Sequence, residues 1–286
     1  MRSSVDDAGG VAVENRVLVG PHGPLPIREY RPQSPSGDGI VWAHGGAFIG
    51  GDLDMAESDW VAHQLASHGI TVVAVDYQLA PTPEWIAKFL PPNPTGSRFP
   101  VAWDEVAAVL ERLTTSHRSR SMRWFLGGAS AGGALAAGSV VRARIAGTTS
   151  PAGLVLAYPV LHAVLPEMTP ELAVEFATVP EMERLAPEVV ARLNANAVDN
   201  PKDLRSSLAF PGGGDLNGFP STFIVTASAD AIRSSGQAFA GELAAAGVDV
   251  TLVREPNTKH GYLNDPTIPA AMHSIERIAH WIRTTD

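Results

Sequence analysis

A serine flanked by glycines, set between a predicted strand and a predicted helix, constrains the fold of this chain most. The pattern Gly128-x-Ser130-x-Gly132 follows the apolar run Met122–Leu126, which is typical of a short buried strand. The small residues Ala134–Ala137 come next and favour a tightly packed helix. A serine on so sharp a turn needs neighbours without bulky Cβ groups, and the turn would lift its hydroxyl beside the first N–H groups of the helix. The sequence therefore predicts a nucleophile at Ser130.

Two other glycine-rich patterns do not fit this turn. A dinucleotide-binding Gly-x-Gly-x-x-Gly fails because Ala129 or Ser130 occupies the place of the middle glycine. The phosphate-binding pattern fails because Gly133 stands where a lysine is required. An ordinary glycine-rich turn between a strand and a helix remains the alternative, so the assignment depends on partners elsewhere in the chain.

Composition narrows the classes of protein that the chain can represent. Its 286 residues suit one large domain or a domain with a small cap. The absence of cysteine excludes disulfides, thiolate zinc sites and a cysteine nucleophile. A formal charge of −9 without a basic cluster argues against nucleic acid and anionic membranes as partners. Residues 1–10 are polar and no apolar run approaches the ~20 residues of a membrane span, so we expect a cytoplasmic protein.

Predicted strands alternate with predicted helices along most of the chain. The strands are predicted at residues 11–19, 25–30, 39–43, 70–75, 122–126, 153–158, 219–227 and 248–254. The turn residues 20–24 join the first two strands into an antiparallel edge hairpin. The alternation predicts an α/β fold, with a mostly parallel eight-stranded sheet and helices on both faces.

Two segments interrupt this alternation. Residues 83–98 are rich in proline and long for a loop, and loops of that length are often functional. Residues 166–201 are predicted to be helical with breaks at prolines, and Thr169 is predicted to cap a helix with Pro170 in its first turn. The acidic side chains of this segment are predicted to form a solvated face: Glu167, Glu171, Glu175, Glu181 and Glu183.

Asp230 and His260 each come directly after an apolar strand. The carboxyl ends of parallel strands meet at one edge of a sheet, which is also the edge where the turn places Ser130. We therefore expect the three side chains to converge, with His260 as the base and Asp230 orienting its imidazole. Taken singly, Asp230 reads equally well as a helix cap and His260 as an ordinary loop histidine.

A pair of glycines supplies the remaining part of the predicted site. Gly45 and Gly46 follow a buried strand, and consecutive glycines allow backbone N–H groups to face a bound carbonyl oxygen. We predict that Gly45, Gly46 and Ala131 donate to the oxyanion that forms when a nucleophile attacks a carbonyl carbon. His44 is predicted to orient this loop. The alternative is a loop glycine pair without a function.

Five motifs resemble the hormone-sensitive-lipase-like branch of the α/β-hydrolase esterases. His44–Phe48 is similar to its His-Gly-Gly-Gly/Ala motif, Asp76–Pro81 to its Asp-Tyr-Arg-Leu-Ala-Pro segment, and Gly128–Gly132 to the turn that carries its serine. Asp230–Arg233 resembles its Asp-Pro-Leu-Arg motif and His260–Tyr262 its His-Gly-Phe motif. The resemblance implies an α/β-hydrolase fold with a small helical cap. It also implies carboxylesterase activity on short- or medium-chain esters, without a cofactor.

The chain departs from the family pattern at several positions. Gln78 replaces the usual arginine and Ala231 the usual proline. The resemblance implies a single domain over 1–286, a cap formed by residues 1–10 and 166–201, and a possible lid insertion at 83–98. It also suggests a homodimer through the last strand and helix. No metal site is expected, because the histidines show no metal-ligand spacing.

Side chains near the predicted site are candidates for substrate binding. They are Ala47, Phe48, Trp85, His162 and Tyr262. We interpret the chain as a serine carboxylesterase for short- to medium-chain or small aryl esters. An amidase, lactonase or carbamate hydrolase with the same three residues is an alternative, since the same groups attack any of these carbonyls. A ligand receptor on the same fold is a second alternative from another class.

Overall fold

A single sheet organises the part of the chain that the computed structural model describes, residues 10–90, 92–116 and 121–285. Its strands are β1 (Val11–Gly20), β2 (Gly23–Pro32), β3 (Asp38–Ala43), β4 (Thr71–Val75), β5 (Arg123–Ala129), β6 (Leu154–Ala157), β7 (Thr222–Ala229) and β8 (Val250–Lys259). Their order is β1-β2-β4-β3-β5-β6-β7-β8. The pairs β1–β2 and β2–β4 are antiparallel, and the pairs from β4 to β8 are parallel. The predicted hairpin and mostly parallel sheet are confirmed.

Helices cover both faces of this sheet. They are α1 (Asp59–Ser67), α2 (Val101–Thr115), α3 (Ala131–Ala146), α4 (Pro170–Ala177), α5 (Pro187–Asn196), α6 (Arg233–Ala245) and α7 (Pro269–Thr284). Helices α2, α3 and α6 pack with Val41 and Leu126 on one face, and α1 and α7 pack with Trp42 and Phe125 on the other. Neighbouring residues of a strand point to opposite faces, so strands buried on both sides consist of uninterrupted apolar residues.

The turn between β5 and α3 is tightly packed and strained. Ser130 has φ 52° and ψ −115°, a conformation that side chains with a Cβ rarely adopt. A Cβ on Gly132 would lie 2.1 Å from the carbonyl oxygen of Ala43, and one on Gly128 would lie 2.4 Å from the carbonyl oxygen of Gly132. Glycine is therefore required on both sides of the serine, because the turn lies directly against the end of β3.

Helix α4 is attached to the sheet by a buried arginine. Thr169 Oγ1 accepts a hydrogen bond from the N–H of Leu172 at 3.2 Å, so the predicted cap of α4 is confirmed. The Arg233 side chain is fully buried and donates to Glu175 at 2.5 Å and to Glu171 at 3.0 Å. The predicted solvated acidic face agrees with the 58% exposure of the Glu171 side chain and the 34% exposure of Glu175, and both carboxylates also compensate a buried cation.

The proline-rich segment 83–98 contacts the helical segment that follows β6. The side chain of Arg98 donates to the carbonyl oxygen of Asn196 at 2.8 Å, and Asn196 Nδ2 donates to the carbonyl oxygen of Pro81 at the same distance. The guanidinium of Arg192 lies 4.1 Å from the centre of the Trp85 ring, an arrangement that favours a cation–π interaction. These contacts join the two segments at both ends of the insertion.

The division into core, cap and lid stays a prediction. Residues 1–9 of the predicted cap lie outside the described residues. In the part of the chain that the structure describes, no structural feature marks residues 83–98 or 166–201 as units separate from the rest of the domain. A homodimer also stays a prediction. Within the described ranges, no helix combines the length and the apolar character needed to cross a bilayer.

We expect Gly132→Ala to destabilise the fold by about 1–3 kcal/mol, since the added methyl group would press on the backbone of β3. Gly241→Ala is the matched control, because it lies in α6 and a Cβ there meets no atom within 4 Å. Helix propensity alone should stabilise that variant by up to ~1 kcal/mol. Urea unfolding of both variants measures the difference, and equal free energies of unfolding would contradict the steric argument.

Candidate active site

Ser130, His260 and Asp230 form one hydrogen-bonded series at the carboxyl edge of the sheet. Ser130 Oγ lies 2.8 Å from His260 Nε2, and His260 Nδ1 lies 2.7 Å from Asp230 Oδ2. The other carboxylate oxygen of Asp230 accepts the N–H of Ile232 at 3.0 Å. With Nδ1–H donated to the carboxylate, Nε2 is left as the acceptor for the serine hydroxyl. The imidazole can therefore receive the proton of Ser130.

Topology explains why residues so distant in the chain meet. Ser130 follows β5, Asp230 follows β7 and His260 follows β8. These strands belong to the parallel part of the sheet and run in the same direction. Each residue therefore leaves the sheet at the same edge. The backbone completes the placement, since the N–H of Ser130 donates to the carbonyl oxygen of Ala157 at 2.9 Å.

Opposing effects act on the proton affinity of His260. Burial lowers the pKa of the imidazole, while the charge and hydrogen bond of Asp230, together with the charge of Glu57, raise it. The net effect raises the pKa above its ordinary value of 6.5. A base with this shift binds a proton more strongly than a free imidazole and is active only above its pKa.

The glycine loop after β3 presents different N–H groups from those that the sequence indicates. The N–H of Gly45 donates to the carboxylate of Glu57 at 2.6 Å and is not free to face Ser130. Among the described residues, none accepts a hydrogen bond from the N–H of Gly46, Ala47 or Ala131. The expectation that Gly45 donates to an oxyanion therefore needs correction, and Ala47 takes its place in the group of free donors.

The side chains of His44 and Tyr77 hold this loop in place through hydrogen bonds to its backbone. The His44 ring is fully buried, stacks on the Tyr77 ring at 4.4 Å and donates Nδ1–H to the carbonyl oxygen of Gly45 at 2.7 Å. The Tyr77 hydroxyl donates to the carbonyl oxygen of His44 at 2.9 Å. Burial lowers the pKa of His44, so its imidazole is neutral and orients the loop, as the sequence predicts.

The predicted substrate-binding residues fall into different environments. Phe48 is buried and stacks on Trp103 at 5.1 Å, below the glycine loop that carries Ala47. Tyr262 lines a cavity of about 790 Å³ that opens beside His260, and its hydroxyl contacts Ser274 at 2.6 Å. Trp85 is 36% exposed and lies in the insertion against Arg192. Of these aromatic rings, that of Tyr262 borders the cavity next to the predicted base.

His162 is not in contact with Ser130. Its Nδ1 lies 2.9 Å from Ser235 Oγ and its Nε2 lies 3.1 Å from Glu242, which outwardly resembles a second serine–histidine–carboxylate site. Ser235 is fully buried and its oxygen also accepts the N–H of Leu161, so the group fixes a loop and presents no accessible nucleophile. The prediction that His162 binds substrate at Ser130 is not supported by these contacts.

Comparison with known proteins agrees with this fold. The family described as alpha/beta hydrolase fold matches residues 40–264. Carboxylesterase NlhH of Mycobacterium tuberculosis is 33% identical over 260 residues, covering 88% of this chain and 76% of the relative. Esterase LipI of the same organism is 30% identical over 272 residues, covering 93% and 79%. The structure of an esterase from Pyrobaculum calidifontis superposes with a TM-score of 0.79 at 28% identity, covering 98% of this chain and 86% of that one.

The chain belongs to the alpha/beta hydrolase fold family. The resemblance to the hormone-sensitive-lipase-like branch is confirmed, and so is the α/β-hydrolase fold class. The assignment of the chain to the carboxylic ester hydrolases is also confirmed. The roles of individual residues in this α/β-hydrolase are proposals, which the contacts above support.

Sequence reasoning missed three residues that connect the loops of the site. Glu57, Tyr158 and Asn264 hold the glycine loop and the His260 loop together, and none belongs to a motif that predicts this. The weak signal for Tyr158 was its position directly after β6, beside the strand that precedes Ser130. Glu57 lies just before α1 in a segment without a recognised motif.

We expect Asp230→Asn to fold normally and to lose up to ~10⁴-fold in turnover, because an amide leaves the imidazole in the wrong tautomer. The variant also lacks the charge that raises the pKa of His260, so the acid limb of kcat/KM against pH should move to lower pH. Esterase assays across the acidic and neutral range measure both effects. Asp249→Asn, an exposed carboxylate just before β8, is the control. Near-full activity of Asp230→Asn would remove Asp230 from the site.

Proposed function

We propose that this α/β-hydrolase is a serine carboxylesterase that cleaves short- to medium-chain or small aryl esters through an acyl-enzyme. The observation that carries the proposal is the continuous series from Ser130 through His260 to Asp230, at 2.8 and 2.7 Å. The relatives named carboxylesterase and esterase support the same class of reaction. The order Ser130, Asp230, His260 along the chain is that of the α/β-hydrolases.

In the first half of the reaction, Ser130 Oγ attacks the ester carbonyl carbon while its proton passes to His260 Nε2. The carbonyl oxygen becomes an oxyanion, and the imidazolium is stabilised by the Asp230 carboxylate. The C–O bond to the alcohol then breaks, and His260 returns the proton to the departing alkoxide. The acyl group stays on Ser130 as an ester.

In the second half, water replaces the alcohol. His260 takes a proton from the water as its oxygen attacks the acyl carbon, and a second oxyanion forms. Collapse of this intermediate returns the proton to Ser130 Oγ and releases the carboxylic acid. The same imidazole thus acts as base and then as acid in each half, which suits a group held at a single position.

We propose Gly46, Ala47 and Ala131 as the donors to the oxyanion. Their N–H groups have no acceptor among the described residues, whereas that of Gly45 is bound to Glu57. The N–H of Ala131 is also the first of α3, so the positive end of that helix lies at the oxyanion. Removing one such donor typically lowers turnover by ~10²–10³.

We propose that the alcohol portion of the ester occupies a cavity beside His260, which neither Ser130 nor the proposed oxyanion donors line. The cavity beside the imidazole measures about 790 Å³ and is lined by Val179, Pro180 and Ile268 together with polar Thr178 and Asn257. This volume lies within the range of small-molecule sites. Because His260 protonates the alkoxide, the alcohol portion of the substrate lies on the histidine side of the acyl carbon.

The alternative functions differ in how many of the observed contacts they use. A ligand receptor on this fold does not need a base within hydrogen-bonding distance of the serine, which this chain has. An amidase, lactonase or carbamate hydrolase would use the same series, so geometry alone favours none of them. The names of the relatives favour esters.

We expect a fluorophosphonate probe to label the wild-type chain and not Ser130→Ala, because only an activated serine attacks phosphorus at a useful rate. Ser235→Ala is the matched control, since Ser235 is also hydrogen-bonded to a histidine but is fully buried. Gel fluorescence after labelling reads out all three proteins. Labelling of Ser130→Ala, or its loss in a folded Ser235→Ala, would contradict the assignment of Ser130.

We expect an ester to be hydrolysed faster than the amide of the same acyl group, since the alkoxide is the better leaving group and the relatives are esterases. Paired measurements of kcat/KM on a matched ester and amide provide the test, with Ser130→Ala as the blank. Amide turnover equal to or faster than ester turnover would favour the amidase alternative.

A further inference from the structure

Glu57 is a buried carboxylate that contacts the glycine loop at Gly45. It lies in the segment just before α1 and is 1% exposed. One oxygen accepts the N–H of Gly45 at 2.6 Å. The other accepts the Tyr158 hydroxyl at 2.5 Å and Asn264 Nδ2 at 3.3 Å. Burial raises the pKa of Glu57, while the hydrogen bonds from these three donors and the charge of His260 oppose that shift and favour the ionised carboxylate.

The backbone of Glu57 is fixed as firmly as its side chain. Its N–H donates to Asn264 Oδ1 at 3.1 Å, and its carbonyl oxygen accepts the indole N–H of Trp42 at 2.9 Å. Asn264 therefore binds both the backbone and the carboxylate of Glu57. Since Asn264 lies in the short helical turn after His260, Glu57 joins the glycine loop to the histidine loop.

The bond to Gly45 determines how the glycine loop is oriented. Gly46 has φ 112° and Ala47 has φ 55°, so the chain turns sharply just after the peptide that Glu57 holds. A Cβ on Gly45 would lie 2.4 Å from Glu57 Oε2 and 3.2 Å from the Cβ of Ser130, so glycine is required for this close approach. With one N–H fixed towards Glu57, the next two are left for the carbonyl oxygen of a substrate.

Glu57 also acts on His260 through its charge. The Tyr158 ring that binds Glu57 packs edge-on against the His260 ring at 5.1 Å. The ionisable groups near His260 include Asp230 from the loop after β7 and Glu57 from the segment before α1. They also include Tyr158 after β6 and Tyr262 in the loop after β8, while Lys259 is bound to Glu183. Glu57 adds to the effect of Asp230 in raising the pKa of His260.

We propose that Glu57 is a positioning residue for the esterase reaction: through Gly45 it orients the oxyanion donors, and through Tyr158 and Asn264 it couples them to His260. The inference rests on the proposed function. Glu57 then stabilises the transition state and not the bound ester, because the oxyanion and the imidazolium form only during the reaction. Binding of the ground-state ester needs neither.

The test compares Glu57→Gln and Tyr158→Phe with the wild type. A glutamine has one acceptor oxygen where the carboxylate has two, so it cannot serve Gly45 and Asn264 together, and it carries no charge. Tyr158→Phe removes one donor to Glu57 and keeps the ring against His260. Asp38→Asn is the matched control, because Asp38 is also a buried carboxylate but lies at the opposite end of β3, bound to Arg123.

We expect Glu57→Gln to lower kcat by ~10–10², with KM changed by less than about threefold, as for loss of an interaction made only in the transition state. Affinity for a trifluoromethyl ketone, which forms a tetrahedral adduct with the serine, should fall in parallel with kcat/KM. The acid limb of the pH profile should move to lower pH, because a charge that raises the pKa of His260 is gone. Tyr158→Phe should show the same pattern to a smaller extent, and Asp38→Asn none of it.

The results separate this inference from the proposed function. A wild type that hydrolyses no ester would overturn both. An active wild type with unchanged kcat, ketone affinity and pH profile in Glu57→Gln would overturn the inference alone. If Glu57→Gln fails to fold, Tyr158→Phe decides, and wild-type values of kcat and ketone affinity in that variant would overturn the inference.

Discussion

The contact between the serine turn and the end of β3 is the constraint on which the rest of the site depends. Gly132 approaches the carbonyl oxygens of Ala43 and His44 so closely that a single methyl group would collide with both. This contact joins two separate parts of the chain, the turn that carries Ser130 and the loop that carries Gly46 and Ala47. The contact therefore fixes the position of the nucleophile relative to the proposed oxyanion donors. Strain at Ser130 is tolerated because buried strands on both sides of β5 hold the turn in place.

The sequence allows the central residues to be predicted because their signals are local. The glycines around Ser130 are required by a turn that forms within five residues, and Asp230 and His260 each follow a strand of the sheet. Parallel pairing of β5 to β8 then brings them together without further information. The predicted mostly parallel sheet and the edge hairpin follow from the same kind of pattern, uninterrupted apolar runs and turn residues.

The rest depends on contacts between distant residues. The N–H of Gly45 donates to Glu57, a buried residue that no sequence motif marks as part of the site. His162 was expected at the site because it follows β6, but a serine and a glutamate on α6 draw it away. Glu171 and Glu175 were expected in water and stay partly exposed, but their carboxylates also bind the buried Arg233. In each case a partner far along the chain decides which contacts a polar side chain makes.

The buried guanidinium of Arg233 limits which helices can replace α4. It lies three residues after Asp230 and is balanced by carboxylates of α4 and by the carbonyl oxygen of Ser228. A replacement helix grafted from a related hydrolase would leave this cation without counter-charge unless it supplied an acid at position 171 or 175, or unless residue 233 were made apolar at the same time. Chimeras that aim to alter selectivity must therefore transfer helix and arginine as one unit.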